Sequence, residues 1–116
     1  MNFHSDYNKY HAIKTKIDGI TFDSRKEAER YAELKLLERA NKIAFLELQK
    51  RFCLIPSFEH EGKKERATNY IADFYYYDIE KGCYVAEDTK GMRTEVYKLK
   101  RKMFLLTYPK IKFVEL

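Results

Sequence analysis

Residues 67–91 read ATNYIADFYYYDIEKGCYVAEDTKG, and this stretch decides the fold. Ala67 to Asp78 is dense in aromatic and β-branched residues, which favour the pleated, half-buried surface of a strand. Ile79-Glu80-Lys81-Gly82 reads as a hairpin turn, and Cys83 to Lys90 as the returning strand, stopped by Gly91. Both strands carry acids where a core strand should have none. Asp73 interrupts Tyr70-Ile71-Ala72-Asp73-Phe74-Tyr75-Tyr76, and Glu87, Asp88 and Lys90 close the second strand. Ionised groups in such places are costly unless they are paired or bound to a cation. Period-two alternation puts Ala86, Asp88 and Lys90 on one face and Val85, Glu87 and Thr89 on the other. The short turn makes the strands neighbours, so Asp73 comes within reach of Asp88. Two converging carboxylates repel each other unless a hard divalent cation such as Mg2+ sits between them. A lysine beside such a cation can orient or deprotonate an attacking water, or stabilise charge on the phosphorane. The plainer alternatives are an edge-strand charge at Asp73 and a weak same-face ion pair between Asp88 and Lys90. A bulge would exchange Glu87 for Asp88.

Upstream, His11 to Phe22 reads HAIKTKIDGITF, alternating around Asp18-Gly19 as an N-terminal β-hairpin does. Ser24 followed by Glu27 is a capping-box pattern, which predicts a helix from Arg25 to about Ala40 with Asn41 as its stop. Glu27, Tyr31, Leu34 and Glu38 share one stripe of that helix. Ile43 to Ile55 is a long strand ending at Pro56, and Ser57 to Arg66 a polar turn region. Downstream, Thr94 to about Tyr108 is helical, with Val96, Leu99, Met103 and Leu106 as its apolar stripe and Pro109 at its end. Ile111 to Leu116 is a last short strand. The order predicts an α/β sandwich with a mixed central sheet.

The 116 residues suit one domain, 1–116. With 45% hydrophobic and 16% aromatic residues, a disordered tail is excluded. The sequence shows no apolar run of membrane-spanning length and no signal-peptide core, so a soluble, cytoplasmic protein without a membrane partner is expected. Cys53 and Cys83 form no CxxC pair, and His4, His11 and His60 have no ligand spacing; the cysteines read as buried apolar residues. The net charge of +5 is unevenly spread. Residues 1–89 carry 15 basic and 16 acidic side chains, whereas residues 90–112 carry eight basic ones against Glu95 alone. A basic block beside a neutral body is the footprint of a phosphate-binding face, or else a solvated helix face.

Ile71-Ala72-Asp73 with Glu87-Asp88-Thr89-Lys90-Gly91 resembles the PD-(D/E)XK nuclease signature. Almost the whole chain is similar to small phage and prophage proteins of that superfamily. The similarity runs through Tyr10-His11-Ala12, Asp18 to Ser24, Glu27-Ala28, Tyr70 to Phe74, Glu87 to Gly91 and Tyr97 to Lys102. The resemblance implies a restriction-endonuclease-like αβββαβ core and Mg2+-dependent phosphodiester hydrolysis, with Mn2+ as a substitute. It also implies branched, Holliday-junction-like recombination intermediates as substrate, in a bacterial host. Matched residue by residue, Asp73 and Asp88 are the motif's acids, Lys90 its lysine and Glu27 the helix acid that many members use as a further ligand. Ala72 stands where the motif has proline.

On this reading Asp73, Asp88, Glu27 and the Thr89 carbonyl hold the metal and Lys90 lies beside the nucleophile. Arg93, Lys98, Lys100, Arg101 and Lys102, with His11, contact DNA. Glu27 has a second reading as nothing more than the capping-box residue, and Lys100, at the edge of the apolar stripe, has one as a snorkelling lysine. Tyr97 reads as packing, and the run Tyr75-Tyr76-Tyr77 as strand core or dimer contact, with base stacking the alternative. Symmetric cutting of two strands predicts a homodimer. The rival is a non-catalytic nucleic-acid- or protein-binding module on a decayed nuclease fold.

Overall fold

The structure, a computed structural model, describes residues 14–89 and 93–116. Strands β1 (Thr15–Ile17) and β2 (Ile20–Phe22) form an antiparallel hairpin. Its turn residues Asp18 and Gly19 have φ of 52° and 76°, the left-handed pair that a tight primed turn requires. The Ser24 hydroxyl then accepts the Glu27 amide at 3.1 Å and starts helix α1 (Arg25–Arg39). Asn41, at φ 60°, lies just beyond its end.

Strand β3 (Ile43–Ile55) runs the length expected and stops before Pro56. Residues 57–66, expected as a turn region, instead contain a second hairpin of β4 (Phe58–His60) and β5 (Lys63–Glu65). Its six strand residues are all exposed. With no buried face it has no hydrophobic alternation to betray it; its turn at Glu61 and Gly62 again has paired positive φ, 49° and 79°. Strands β6 (Thr68–Asp78) and β7 (Cys83–Asp88) follow, then helix α2 (Glu95–Thr107) and strand β8 (Lys112–Glu115).

The central sheet has the order β3-β6-β7-β8. Its first three strands are antiparallel, and β8 is parallel to β7 because α2 carries the chain across. The protein is thus an α/β fold with a mixed central sheet. Two cores lie on opposite faces. Ala28, Tyr31 and Leu34 of α1 pack with Phe22, Ile43, Phe74, Tyr76 and Val85. Tyr97 and Phe104 of α2 pack with Phe52, Tyr70, Ala72 and Ala86.

Two sequence expectations are corrected here. Most of the expected apolar stripe of α2 points outward: Val96, Leu99 and Leu106 are exposed, the last at 83%, and Met103 is half-buried. The buried ridge is Tyr97, Phe104 and the half-buried Tyr108, on the other side of the helix. Aromatic rings bury more surface than aliphatic side chains, and the tyrosines find acceptors at Glu115 and the Cys53 carbonyl, so the aromatic ridge wins the core. Nor are the cysteines buried: Cys53 is exposed, and Cys83 is half-buried at the edge of the α1-side core. The tyrosine run does pack: Tyr76 is buried, and Tyr75 and Tyr77 meet Tyr84 at 4.9 Å and 5.1 Å between ring centroids. Among the described residues no helix is long and apolar enough to cross a membrane.

Candidate functional site

The ladder between β6 and β7 ends at Phe74 opposite Glu87. One further step in the same register puts Asp73 opposite Asp88, just where pairing stops. Both side chains are buried, Asp73 at 8% and Asp88 at 0% exposure. Asp73 Oδ2 accepts two bonds from Thr89, from its amide at 2.9 Å and its hydroxyl at 2.8 Å. Thr89 therefore enters the site through its N–H and Oγ1. Asp88 Oδ2 accepts from the Tyr70 hydroxyl at 2.6 Å. Burial pushes the Tyr70 hydroxyl pKa well up; the bond to Asp88 and the field of both aspartates push it the same way, so it remains a donor.

Alternation along β7 holds. Glu87 faces α1, where it is 1% exposed and clamped by Arg30: Nε reaches Oε1 at 2.7 Å and Nη2 reaches Oε2 at 2.6 Å. Tyr76 donates to the same Oε2. The bond to Glu87 raises the Arg30 pKa further, so the guanidinium stays charged. Glu87 is thereby committed to a structural pair, and Asp88 takes the α2 face.

Glu27, half-buried on α1, approaches Asp73 through a third residue. Gln49 Nε2 lies 3.3 Å from Asp73 Oδ1 and 3.5 Å from Glu27 Oε2. Gln49 sits at φ 52° inside β3. Its strand changes faces there: Leu48 packs on the α1 side and Phe52 on the α2 side. On β6, Phe74 and Ala72 do the same about Asp73. Leu48 pairs with Phe74 and Lys50 with Ala72, so the register survives because both strands switch at one rung. A small cavity of about 170 Å3, lined by Thr21, Asp23, Glu27 and Gln49 among others, opens beside this rung against the β1–β2 hairpin.

Asp73, Asp88 and Glu27 supply hard oxygen donors, the chemistry that Mg2+ requires. Among the described residues no three His, Cys, Asp or Glu side chains are grouped to hold a metal ion. Lys90 and His11 lie outside the described residues.

The basic residues divide. Lys100 is half-buried and lines a groove of about 220 Å3 with Asn69, Tyr70, Ile71, Thr94 and Tyr97, of which Tyr70 bonds Asp88. Arg101, also half-buried, lies over the Phe113 ring at 5.4 Å. Its Nε is buried with no hydrogen-bond partner among the described residues. Arg93, Lys98, Arg101 and Lys102 border a second groove of about 430 Å3, Arg93 paired with Glu115 at 3.4 Å and Lys98 with Glu95 at 3.3 Å.

Sequence reasoning missed Arg30, Gln49 and Tyr70. Arg30 lies one turn beyond Glu27 and could have been sought as the partner of a buried acid. Tyr70 reads in the sequence as one more aromatic of a strand. Gln49 carried no signal, because a polar residue in an alternating strand reads as solvent-facing.

The chain matches the family model described as "Protein of unknown function (DUF1064)" over residues 7–115, and it belongs to that family. No curated protein and no solved structure matches it.

Proposed function

We propose that this DUF1064 chain is a metal-dependent endonuclease with a restriction-endonuclease-like core, acting on the phosphodiester backbone of branched DNA. The observation that carries the reading is the rung where β6 and β7 part. Asp73 and Asp88 each lie one residue past the last pair of the ladder, Phe74 with Glu87, and Glu27 approaches Asp73 through Gln49. With the outlying β4–β5 hairpin set aside, the order helix, three central-sheet strands, helix, strand supports it, as does the basic block after Lys90.

Asp73, Asp88 and Glu27 are the residues that would hold Mg2+ or Mn2+. Bound there, the cation would activate water and offset charge on the phosphate. The chain's own groups do the rest. Thr89 fixes the Asp73 carboxylate through two bonds, and Tyr70 fixes Asp88. Lys90 lies next in sequence to Thr89 and is assigned to the attacking water. Lys100, in the groove beside Tyr70, is assigned to the phosphate at the cut, and Arg93, Lys98, Arg101 and Lys102 to the flanking backbone. Symmetric cutting of a junction calls for a two-fold dimer, which light scattering would read.

The complete burial of Asp88 against Tyr70 favours a second reading, a nucleic-acid-binding module without catalysis. One experiment separates the two. Four-way junction, flap, duplex and single strand are incubated with Mg2+ or Mn2+ and with wild type or Lys90→Ala. The nuclease reading expects the junction to be cut by wild type and bound but uncut by the variant. Equal cutting by both proteins refutes the assigned mechanism, and binding without cutting by wild type establishes the module.

A further inference from the structure

Gln49 combines two observations that nothing in the sequence motif explains. It holds a left-handed backbone, φ 52°, inside a 13-residue strand. Residues other than glycine, asparagine and aspartate avoid that region, and such conformations persist where surrounding structure imposes them, commonly at functional sites. Its amide nitrogen also lies between carboxylates from two different elements, Glu27 of α1 at 3.5 Å and Asp73 of β6 at 3.3 Å. The two follow from one cause. The left-handed residue turns β3 over at the rung where β6 also turns over, and this directs the side chain along the sheet toward the acids.

We propose that Gln49 is the positioning residue of this carboxylate site. Its NH2 end holds Glu27 and Asp73 about a common point, and its Oε1 end turns to that point when a divalent cation takes it. The inference rests on the nuclease reading and deepens it. The chemistry selects an amide. A carboxamide carries two donors at one end and an acceptor at the other, so a half-turn converts it from a partner of acids into a partner of a cation. Glutamate at this place would add a third negative charge, which favours the cation but sets three carboxylates against one another without it. An aliphatic residue would serve neither state. Gln49 is exposed, so the half-turn requires no repacking of either core.

The test is Mn2+ binding by calorimetry to wild type, Gln49→Ala and Gln49→Glu, with junction cleavage measured on the same preparations. Removal of a group that orients metal ligands typically costs about ten- to a hundredfold in affinity. Gln49→Ala is expected to weaken Mn2+ binding at least about tenfold. Gln49→Glu is expected to tighten it and to lower the melting temperature of the metal-free protein. In wild type, the Gln49 side-chain amide resonance is expected to move on saturation with Mg2+, a readout that needs no variant to fold. Equal Mn2+ affinity in all three proteins, with an unmoved resonance, overturns the assignment. Ion binding that depends on Gln49 without any DNA cleavage supports the positioning role and refutes the nuclease. No divalent binding by wild type overturns both.

Discussion

The ion pair of Arg30 and Glu87 offers the sharpest test of how the site is held. Glu87 is 1% exposed, doubly bonded by the guanidinium at 2.7 Å and 2.6 Å, and bonded a third time by Tyr76. Arg30→Met keeps the volume of the stem but leaves a buried carboxylate with one neutral donor. Breaking a buried pair from one side costs about 3–5 kcal/mol. The Arg30 side chain is 23% exposed, so water reaches the gap and the lower end, about 3 kcal/mol, is expected. Glu87→Gln is milder, about 1–2 kcal/mol, because it strands only a cation whose head reaches solvent and has Glu33 at 3.2 Å. Replacing both by apolar residues, as in Arg30→Met with Glu87→Leu, is expected to recover most of the loss, since a buried pair roughly balances its own desolvation. Equilibrium urea unfolding reads all four proteins. At a slope of about 1.5 kcal/mol per molar, Arg30→Met moves the midpoint down by about 2 M. The ranking is the prediction. A loss for Arg30→Met below about 1 kcal/mol, or no greater than that of Glu87→Gln, refutes the clamp.

The phase of α2 is tested by Phe104→Ala, expected to cost about 3–5 kcal/mol, against Leu106→Gln, expected to change stability by less than about 0.5 kcal/mol in the same urea assay. Phe45 holds φ 58° while 69% exposed, so Phe45→Gly should leave stability level or raise it by up to about 1 kcal/mol; a larger loss would mean that the exposed ring contributes packing. The hydroxyls of Tyr70, Tyr76 and Tyr97 are all raised above the usual tyrosine value, first by burial and then by bonds to Asp88, Glu87 and Glu115. An acid whose folded pKa is raised contributes stability that is complete below the unfolded pKa, about 10, and is lost as pH rises from there through the folded value. Unfolding free energy should therefore fall with pH above about 10, and Tyr97→Phe should flatten the fall. If DNA is the partner, Lys98→Ala and Lys102→Ala should each reduce the slope of log affinity against log salt by about 1, without a change in preferred structure.

What was legible in the sequence follows from where the physics is local. Ser24 with Glu27, Asp18-Gly19 and the terminator Pro56 each act through their own few bonds, and each boundary falls as expected. Period-two alternation correctly separated Glu87 from Asp88 because β7 contains no bulge. The same rule fails on β3, where Phe45 and Gln49 are both left-handed and the strand turns over at each. Ile43 packs with Leu46 and Leu48 on one face, a pairing of odd with even positions that no fixed period predicts. The α2 stripe failed for a related reason. Hydropathy counts Val96 and Leu99 ahead of Tyr97, whereas packing counts ring area and a hydroxyl with an acceptor.

The face switch at Gln49 and Asp73 also bears on why an acid sits inside a strand. A side chain in a continuous pleat belongs to one face and would be sealed under one helix. At a switching rung it belongs to neither. Asp73 reaches Thr89 across the parted strands, Gln49 on the neighbouring strand, and through it Glu27 of α1, while Asp88 opposite it is turned toward Tyr70 and the α2 side. The rung thereby joins carboxylates from the two faces of one sheet, which an unbroken ladder would hold apart. On this argument the left-handed residue and the early end of the β6–β7 ladder are one device. Gln49→Pro, which cannot adopt positive φ, should separate Glu27 from Asp73 and abolish the divalent binding that the proposed function requires. Gln49→Gly keeps the backbone and loses only the amide. If Gln49→Gly and Gln49→Pro lose affinity equally, the side chain alone matters and the backbone switch does not.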